Sequence, residues 1–469
     1  MSKDLTHIRA FQLGKPREAG PEDVRHGHGL VDQAEGASPR LAAPEPARSA
    51  RRKGLRVRRA AVIALALGQL LVIAPAQAVS GAKPVNAGQK EYRTSLTRWR
   101  AAEGDFASWA LAGTTLTAGG ALTLDPGSAT PGADPFGPGG YLGGTYYNGG
   151  AFLVGQATSP VTATPDGFSE AIASWSADTP GGTWIETLIR AQVDGGRFTK
   201  YYNLGIWASD PCTVARHSVR RQGDADGFVA VDTLVLDDKL RGKAYELTFR
   251  LFSEDPAVAV PTLRSASLAM SSGYNKIGEF TPGDPTLWDT VLSVPECSQM
   301  VYPDGGSVWC SPTSTSMVLK YWSGDTGPCE PDVRAAVDGV HDWVYDGAGN
   351  WPFNTAYAAT QGLEAEVARF ESMADAEPWV AAGIPVVISY YWHEGDLTGA
   401  PIPSSDGHLA VLVGFDAAGN PIVNDPAAAA DAQVQRTYLR DELEHLWVKK
   451  SGGTAYLIYP TGHPVPQIP

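Results

Sequence analysis

Three residues of the C-terminal third bring together the groups needed to cleave an acyl bond. Cys310 is followed by Ser311, Pro312 and Thr313, and then by Met317, Val318, Tyr321 and Trp322 at i, i+1, i+4 and i+5, the stripe of a helix with one buried face. Proline suits a first helical turn because it has no N–H to leave unpaired, so the spacing predicts a helix that begins at Cys310. A thiol there meets the positive end of the helix dipole, which favours the nucleophilic thiolate. Taken alone, such a cysteine reads more readily as a small buried hydrophobe or half of a disulfide. His408 shifts the balance. It heads an apolar run to Phe415, residues 416–419 supply a turn, and residues 420–425 return. With a four-residue loop, Phe415 pairs with Asn420 and Ala410 with Asp425, which sets Asp425 on the face of His408 one diagonal step away; a three-residue loop presents Asn424 instead. Nucleophile, base and a third group that fixes the imidazole tautomer make up the machinery of acyl transfer.

The elements that must position these groups lie in an α+β chain of 469 residues with net charge −14. That charge argues against nucleic acid as a partner, since affinity for phosphates comes from Lys and Arg. Residues 1–78 read as an N-terminal extension and signal sequence: a basic run ending at Arg59, an apolar stretch from Ala60 to Ala74, then Ala76, Gln77 and Ala78. About fifteen apolar residues are short for a membrane span, which needs roughly 20. Processing near Val79 would leave 24 basic and 44 acidic groups, and an extracellular protein without a stable membrane span. Residues 79–150 read as a helix from Gln89 to about Phe106, carrying Tyr92, Leu96 and Trp99, followed by a Gly-rich loop with Tyr141, Tyr146 and Tyr147. Residues 151–280 have period two. Ile185, Thr187, Ile189, Ala191 and Val193 alternate with Trp184, Glu186, Leu188, Arg190 and Gln192, and further runs from Phe198 to Ile206 and from Tyr245 to Leu251 follow. The pattern is that of an antiparallel β-sandwich, a candidate glycan or cell-wall contact, although Trp175, Trp184, Tyr201, Tyr202 and Trp207 are expected mainly in its core. A Pro- and Gly-containing linker is expected from Thr281 to Pro295, and the catalytic domain over residues 290–460.

Other candidates are weaker. His393 reads as a rim residue, and His341 and His445 as helix-surface positions. No His-Glu-x-x-His or Cys-x-x-Cys spacing supports a metal, and no cofactor motif is present. With Cys310 free, Cys297 and Cys329 bracket it in the same domain and are expected to pair, leaving Cys212 in the sandwich. Residues 350–354, Asn-Trp-Pro-Phe-Asn, read as an aromatic loop that either borders the cleft or packs.

The strings Val294-Pro295-Glu296-Cys297-Ser298-Gln299, Trp309-Cys310-Ser311-Pro312-Thr313, Gly407-His408-Leu409 and Val423-Asn424-Asp425-Pro426 resemble cysteine peptidase family 39, the bacteriocin-processing, papain-like group, and especially its exported relatives. The resemblance covers roughly residues 290–460. It implies a papain-like domain in which Cys310 is the nucleophile, His408 the base, Asp425 the orienting acid and Gln299 an oxyanion donor. Ser311 stands where that family commonly has glycine. The sandwich looks like a region found beside such domains in secreted actinobacterial proteins. The function expected is a secreted cysteine peptidase cleaving a peptide or amide bond of a peptide or protein substrate. The alternatives are a cell-wall peptide amidase and a non-catalytic glycan- or protein-binding module on a peptidase-like scaffold.

Overall fold

The computed structural model describes residues 92–272 and 281–467, and the signal sequence expected within residues 1–78 lies outside them. Two seven-stranded antiparallel sheets face each other in the N-terminal half. The first runs Gly227–Ala230, Thr233–Leu236, Glu170–Asp178, Thr262–Ser271, Leu122–Leu124 and Thr114–Leu116, with Thr94–Arg100 also paired to Thr262–Ser271. The second runs Tyr202–Trp207, Thr183–Gln192, Gly242–Ser253, Ala151–Thr158 and Ala110–Ala112, with Thr130–Ala133 and Thr162–Phe168 attached. Strict alternation sends Ile185, Ile189, Ala191 and Val193 inward against Leu234, Leu263 and Leu268. Trp175, Trp184, Tyr202 and Trp207 are buried as core, while Tyr201 is only partly covered.

The sandwich starts earlier than the sequence pattern suggests. Residues 94–100, expected to be helical, form a strand in register with 265–271. The spacing of Tyr92, Leu96 and Trp99 fits a helix, yet Leu96 joins the C-terminal core and Trp99 the sandwich core, the opposite-face placement that a strand gives to an odd separation. The stretch expected to be loop, up to residue 150, likewise supplies four short strands of three or four residues. Such strands are too brief to produce a readable period.

The C-terminal half wraps three helices, α1 (Cys310–Ser323), α2 (Cys329–Val340) and α3 (Trp351–Thr360), around a third antiparallel sheet. Its order is Leu363–Arg369, Thr454–Pro460, Val386–Trp392, Ser405–Phe415, Pro421–Asn424 and Gln435–Thr437. The segment expected as a linker is built into this half. Thr290–Val291 pairs with Phe415 and Gly414, and Glu377 accepts from the Asp284 N–H at 2.7 Å and the Trp288 indole at 2.8 Å.

Among the described residues, the two halves pack as one unit. Residues 351–360, where a loop was expected at 350–354, are helical because Asn350 accepts from the Phe353 N–H at the cap and Pro352 fits the first turn. Phe353 then enters the sandwich core, 5.4 Å from the Trp207 ring and 6.2 Å from Trp175, so this motif packs rather than borders the cleft. Burial of one such ring stabilises by about 1.5–3 kcal/mol. Elsewhere between the halves, Arg369 pairs with Glu170 at 2.7 Å, with both side chains almost wholly buried. Arg98 binds Glu366 through two nitrogens, and Ser174 accepts the Val367 N–H at 2.8 Å. Polar groups so buried fix one docking geometry, since any slip would strand a charge.

Candidate active site

Helix α1 opens at Cys310 behind Trp309, with no side chain capping its end. The Cys310 thiol is free and half-buried. Two hydroxyls hold this helix start against the sheet. Ser314 donates to the Leu409 carbonyl at 3.0 Å, beside His408, and the Ser311 and Tyr456 hydroxyls bond at 2.8 Å. Met317 and Val318 are fully buried below them.

His408 lies opposite Tyr390 in the pairing of strands Val386–Trp392 and Ser405–Phe415. Its ring sits edge-on to Tyr390 and Trp392, with centroids 5.5 and 5.3 Å away. Nε2 meets Asp425 Oδ1 at 2.8 Å. A carboxylate can only accept, so Nε2 carries the proton and Nδ1 is left for the thiol. The same Oδ1 accepts from the Ala427 N–H at 2.9 Å, and Oδ2 accepts from the Tyr438 hydroxyl at 2.7 Å and the Tyr390 hydroxyl at 3.2 Å. Asp425 is fully buried with both oxygens satisfied.

The electrostatics follow from this packing. Burial opposes the charged imidazole, but it is outweighed by the Asp425 charge and hydrogen bond and by the hydrogen-bonded Cys310 thiol, so the His408 pKa is pushed up to about 10. Burial raises the Asp425 pKa, and the charge and hydrogen bond of His408, with the Tyr438 hydroxyl, overcome it and hold the carboxyl below its usual range. The imidazole is thus held between a buried carboxylate and the thiol, in surroundings that favour its charged form.

Asp425, not Asn424, meets the histidine. The turn register differs from either simple loop. Phe415 pairs with Pro421, one residue beyond the four-residue expectation, and a bulge at Val413 restores the offset so that Val411 lies opposite Asn424. Asn424 faces away and donates to the carbonyls of Val294 and Pro295 at 3.0 and 3.4 Å. Gln299 is buried in a short turn, tied to the end of the His408–Asp425 hairpin by its N–H on the Pro426 carbonyl at 2.8 Å. Its Nε2 donates one hydrogen to the Gly306 carbonyl at 2.7 Å and keeps a second. Gly306 lets the two turns pack this closely, because a Cβ there would lie 1.9 Å from the main-chain carbonyl oxygen of Gln299. Cys297 and Cys329 are disulfide-bonded with Cα atoms 5.7 Å apart, as expected, which leaves Cys212 and Cys310 free. His341, His393 and His445 are exposed and take no part in the site.

Sequence reasoning missed Tyr390 and Tyr438. Strand pairing alone could have set Tyr390 opposite His408; Tyr438 arrives from a later turn with no local signature. Among the described residues, no cluster of three or more His, Cys, Asp or Glu is placed to hold a metal ion.

Residues 95–271 match the family described as the Peptidase C39 N-terminal domain, and residues 291–455 match the Peptidase_C39 like family. No curated protein matches the chain. Among solved structures, the chain is similar to a double glycine motif protease from an AMS/PCAT transporter, crystallised with the leader peptide. That similarity has 22% identity over 40% of this chain and 100% of that one, with a TM-score of 0.24. A family two carbohydrate esterase from Cellvibrio japonicus is matched at 13% identity over 49% of this chain and 50% of that one, with a TM-score of 0.16.

Proposed function

We propose that this chain, a C39-like peptidase fold behind a C39 N-terminal domain, is an exported cysteine peptidase acting through Cys310, His408, Asp425 and Gln299. The observation that carries the reading is the buried His408 Nε2 to Asp425 contact at 2.8 Å, with the free Cys310 thiol hydrogen-bonded to the same ring. In this mechanism the Cys310 thiolate attacks the carbonyl carbon of a peptide or amide bond, and the oxygen takes up negative charge. The remaining Gln299 Nε2 hydrogen and the Cys310 N–H stabilise that oxyanion. His408 gives a proton to the leaving amine as the C–N bond breaks, leaving a thioester. It then takes a proton from water as water attacks the thioester, which releases the acid and restores the thiol. Asp425 keeps the ring in one tautomer and balances its charge.

Export fits the basic, apolar and small-residue order of residues 51–78 and the Cys297–Cys329 disulfide, a bond rare in the cytosol. The test is a product screen of the mature chain against a broad peptide library and peptidoglycan fragments, beside a Cys310→Ala variant. Products from the wild type alone are expected. Equal product levels from both, or none from either, would leave the reading without support and favour the binding module.

A further inference from the structure

A short segment joins Gln299 to Cys310 and folds into two turns, Gln299–Val301 and Gly306–Val308. One carbonyl links its ends. The Gly306 oxygen accepts from Gln299 Nε2 at 2.7 Å and from the Trp309 N–H at 3.1 Å, so the side chain of one oxyanion donor and the residue just before the other hang on the same atom. The Gly306 N–H donates to the Tyr302 carbonyl at 2.9 Å, and the Tyr302 N–H to the Gln299 carbonyl at 3.3 Å. Met300, Val301 and Val308 are exposed and give the segment little apolar anchorage. Its shape depends on what packs against Tyr302, which is buried, and Trp309, which is half-buried.

Those two rings lie 5.7 Å apart, and the Trp309 indole folds onto Gly305, where a Cβ would come within 2.7 Å of it. One cation serves both. The Arg334 guanidinium, on α2, lies 5.4 Å from the Tyr302 ring centre and 5.7 Å from that of Trp309, within the range of cation–π attraction. Asp304, in the segment itself, accepts from Nη1 at 2.7 Å and Nη2 at 3.3 Å, and Glu330 accepts from Nε at 2.8 Å. A single exposed ion pair contributes little, but a planar fork gripped by two carboxylates has one orientation, with its edge on the acids and its face free for the rings. Before Gln299, the Cys297–Cys329 disulfide ties the chain to the first residue of the same helix. Helix α2 thus grips the segment on both sides of the Gln299 turn, covalently before it and through Arg334 after it.

We propose that Arg334 is a positioning residue for acyl transfer: by bracing Tyr302, Asp304 and Trp309 it fixes the Gly306 carbonyl that aims the Gln299 amide alongside the Cys310 N–H. The proposal rests on the reading of Cys310 as nucleophile and Gln299 as oxyanion donor. Its loss should therefore spare the reactivity of the thiol and weaken only those adducts whose oxygen must enter the oxyanion site.

The test uses two reagents on Cys310 of the full chain. Iodoacetamide alkylates the thiolate without forming an oxyanion. A panel of benzyloxycarbonyl dipeptidyl aldehydes adds reversibly: the sulfur bonds to the aldehyde carbon, the π pair moves to oxygen, and that oxygen takes its charge in the oxyanion site, so the aldehyde protects Cys310 from iodoacetamide. Arg334→Ala is expected to raise the aldehyde concentration that halves labelling at least about fivefold, with the iodoacetamide rate within about twofold of wild type. Arg334→Lys, which keeps the charge without the fork, should fall between the two. On a Gln299→Ala background, Arg334→Ala should add less than about twofold, because the group it positions is gone. Should Arg334→Ala fail to fold, Arg334→Met, which keeps an unbranched stem, makes the same test. Unchanged protection in the folded variant, a parallel fall in the iodoacetamide rate, or a full-sized loss on the Gln299→Ala background overturns the proposal and leaves the nucleophile standing. If no aldehyde protects the wild type, or the wild type labels no faster than His408→Ala, the peptidase reading fails and the proposal falls with it.

Discussion

Asp425 and Asp342, the latter in the loop joining α2 to α3, are both fully buried and each takes four donors, yet the donors differ. Asp425 is served by an imidazole, two tyrosine hydroxyls and one N–H; Asp342 by three backbone N–H groups and an amide. Only the first has a partner that can carry charge and exchange a proton. A carboxylate bound to an imidazole can tune a reaction, whereas one bound to backbone donors can only fix a loop. Burial and hydrogen-bond number alone would not separate the two sites.

Substitution by asparagine separates them. Asp425→Asn removes the charge that balances the imidazolium and offers the ring the wrong tautomer. We expect kcat/KM for peptide hydrolysis to fall about 10²–10⁴-fold, with little change in KM. Asp342→Asn turns an N–H group toward Ser218 or Asn350 and should cost about 2–4 kcal/mol in urea unfolding. Its folded fraction should lose less than about tenfold in hydrolysis. Equal kinetic losses in the two variants would erase the distinction.

Acidity sharpens it further. His408 has its pKa raised from 6.5 to about 10, so its contribution to stability is complete below about 6.5 and fades as the pH climbs through 10. Asp425 is shifted the other way, so its contribution is present above the usual carboxylate range and is lost on acidification through its lowered folded value. The wild-type Tm should therefore drop between pH 6.5 and 10 more steeply than that of Asp425→Asn, while Asp342→Asn keeps the wild-type slope. Parallel curves for all three proteins would contradict the coupling. The smallest effect is expected at Asn424→Ala, which loses its bonds to the Val294 and Pro295 carbonyls. Stability should fall by about 1–2 kcal/mol, with hydrolysis by the folded protein within about twofold of wild type.

Much of this was legible in the sequence because it is local. Pro312 and the stripe through Trp322 mark the start of α1, and the run from His408 to Phe415 marks a strand. The choice between Asp425 and Asn424 was not legible. It depends on a turn one residue longer than the four-residue expectation and on a bulge at Val413, two shifts that cancel. The Thr94–Arg100 strand was hidden because its neighbours, residues 265–271, lie far along the chain and override a helical spacing. The Asp342 loop escaped notice for a related reason. Three of its donors lie within eight residues, but the fourth is a backbone group of the sandwich, which no side-chain pattern reports.

The most direct test of the central claim is the rate at which iodoacetamide labels Cys310 at pH 6, measured in the wild type and in His408→Ala. If the thiol and the imidazole form the reactive pair described here, the wild type labels rapidly and the variant at least about tenfold more slowly. Equal rates in two folded proteins would mean that His408 does not activate Cys310, and would contradict the peptidase mechanism.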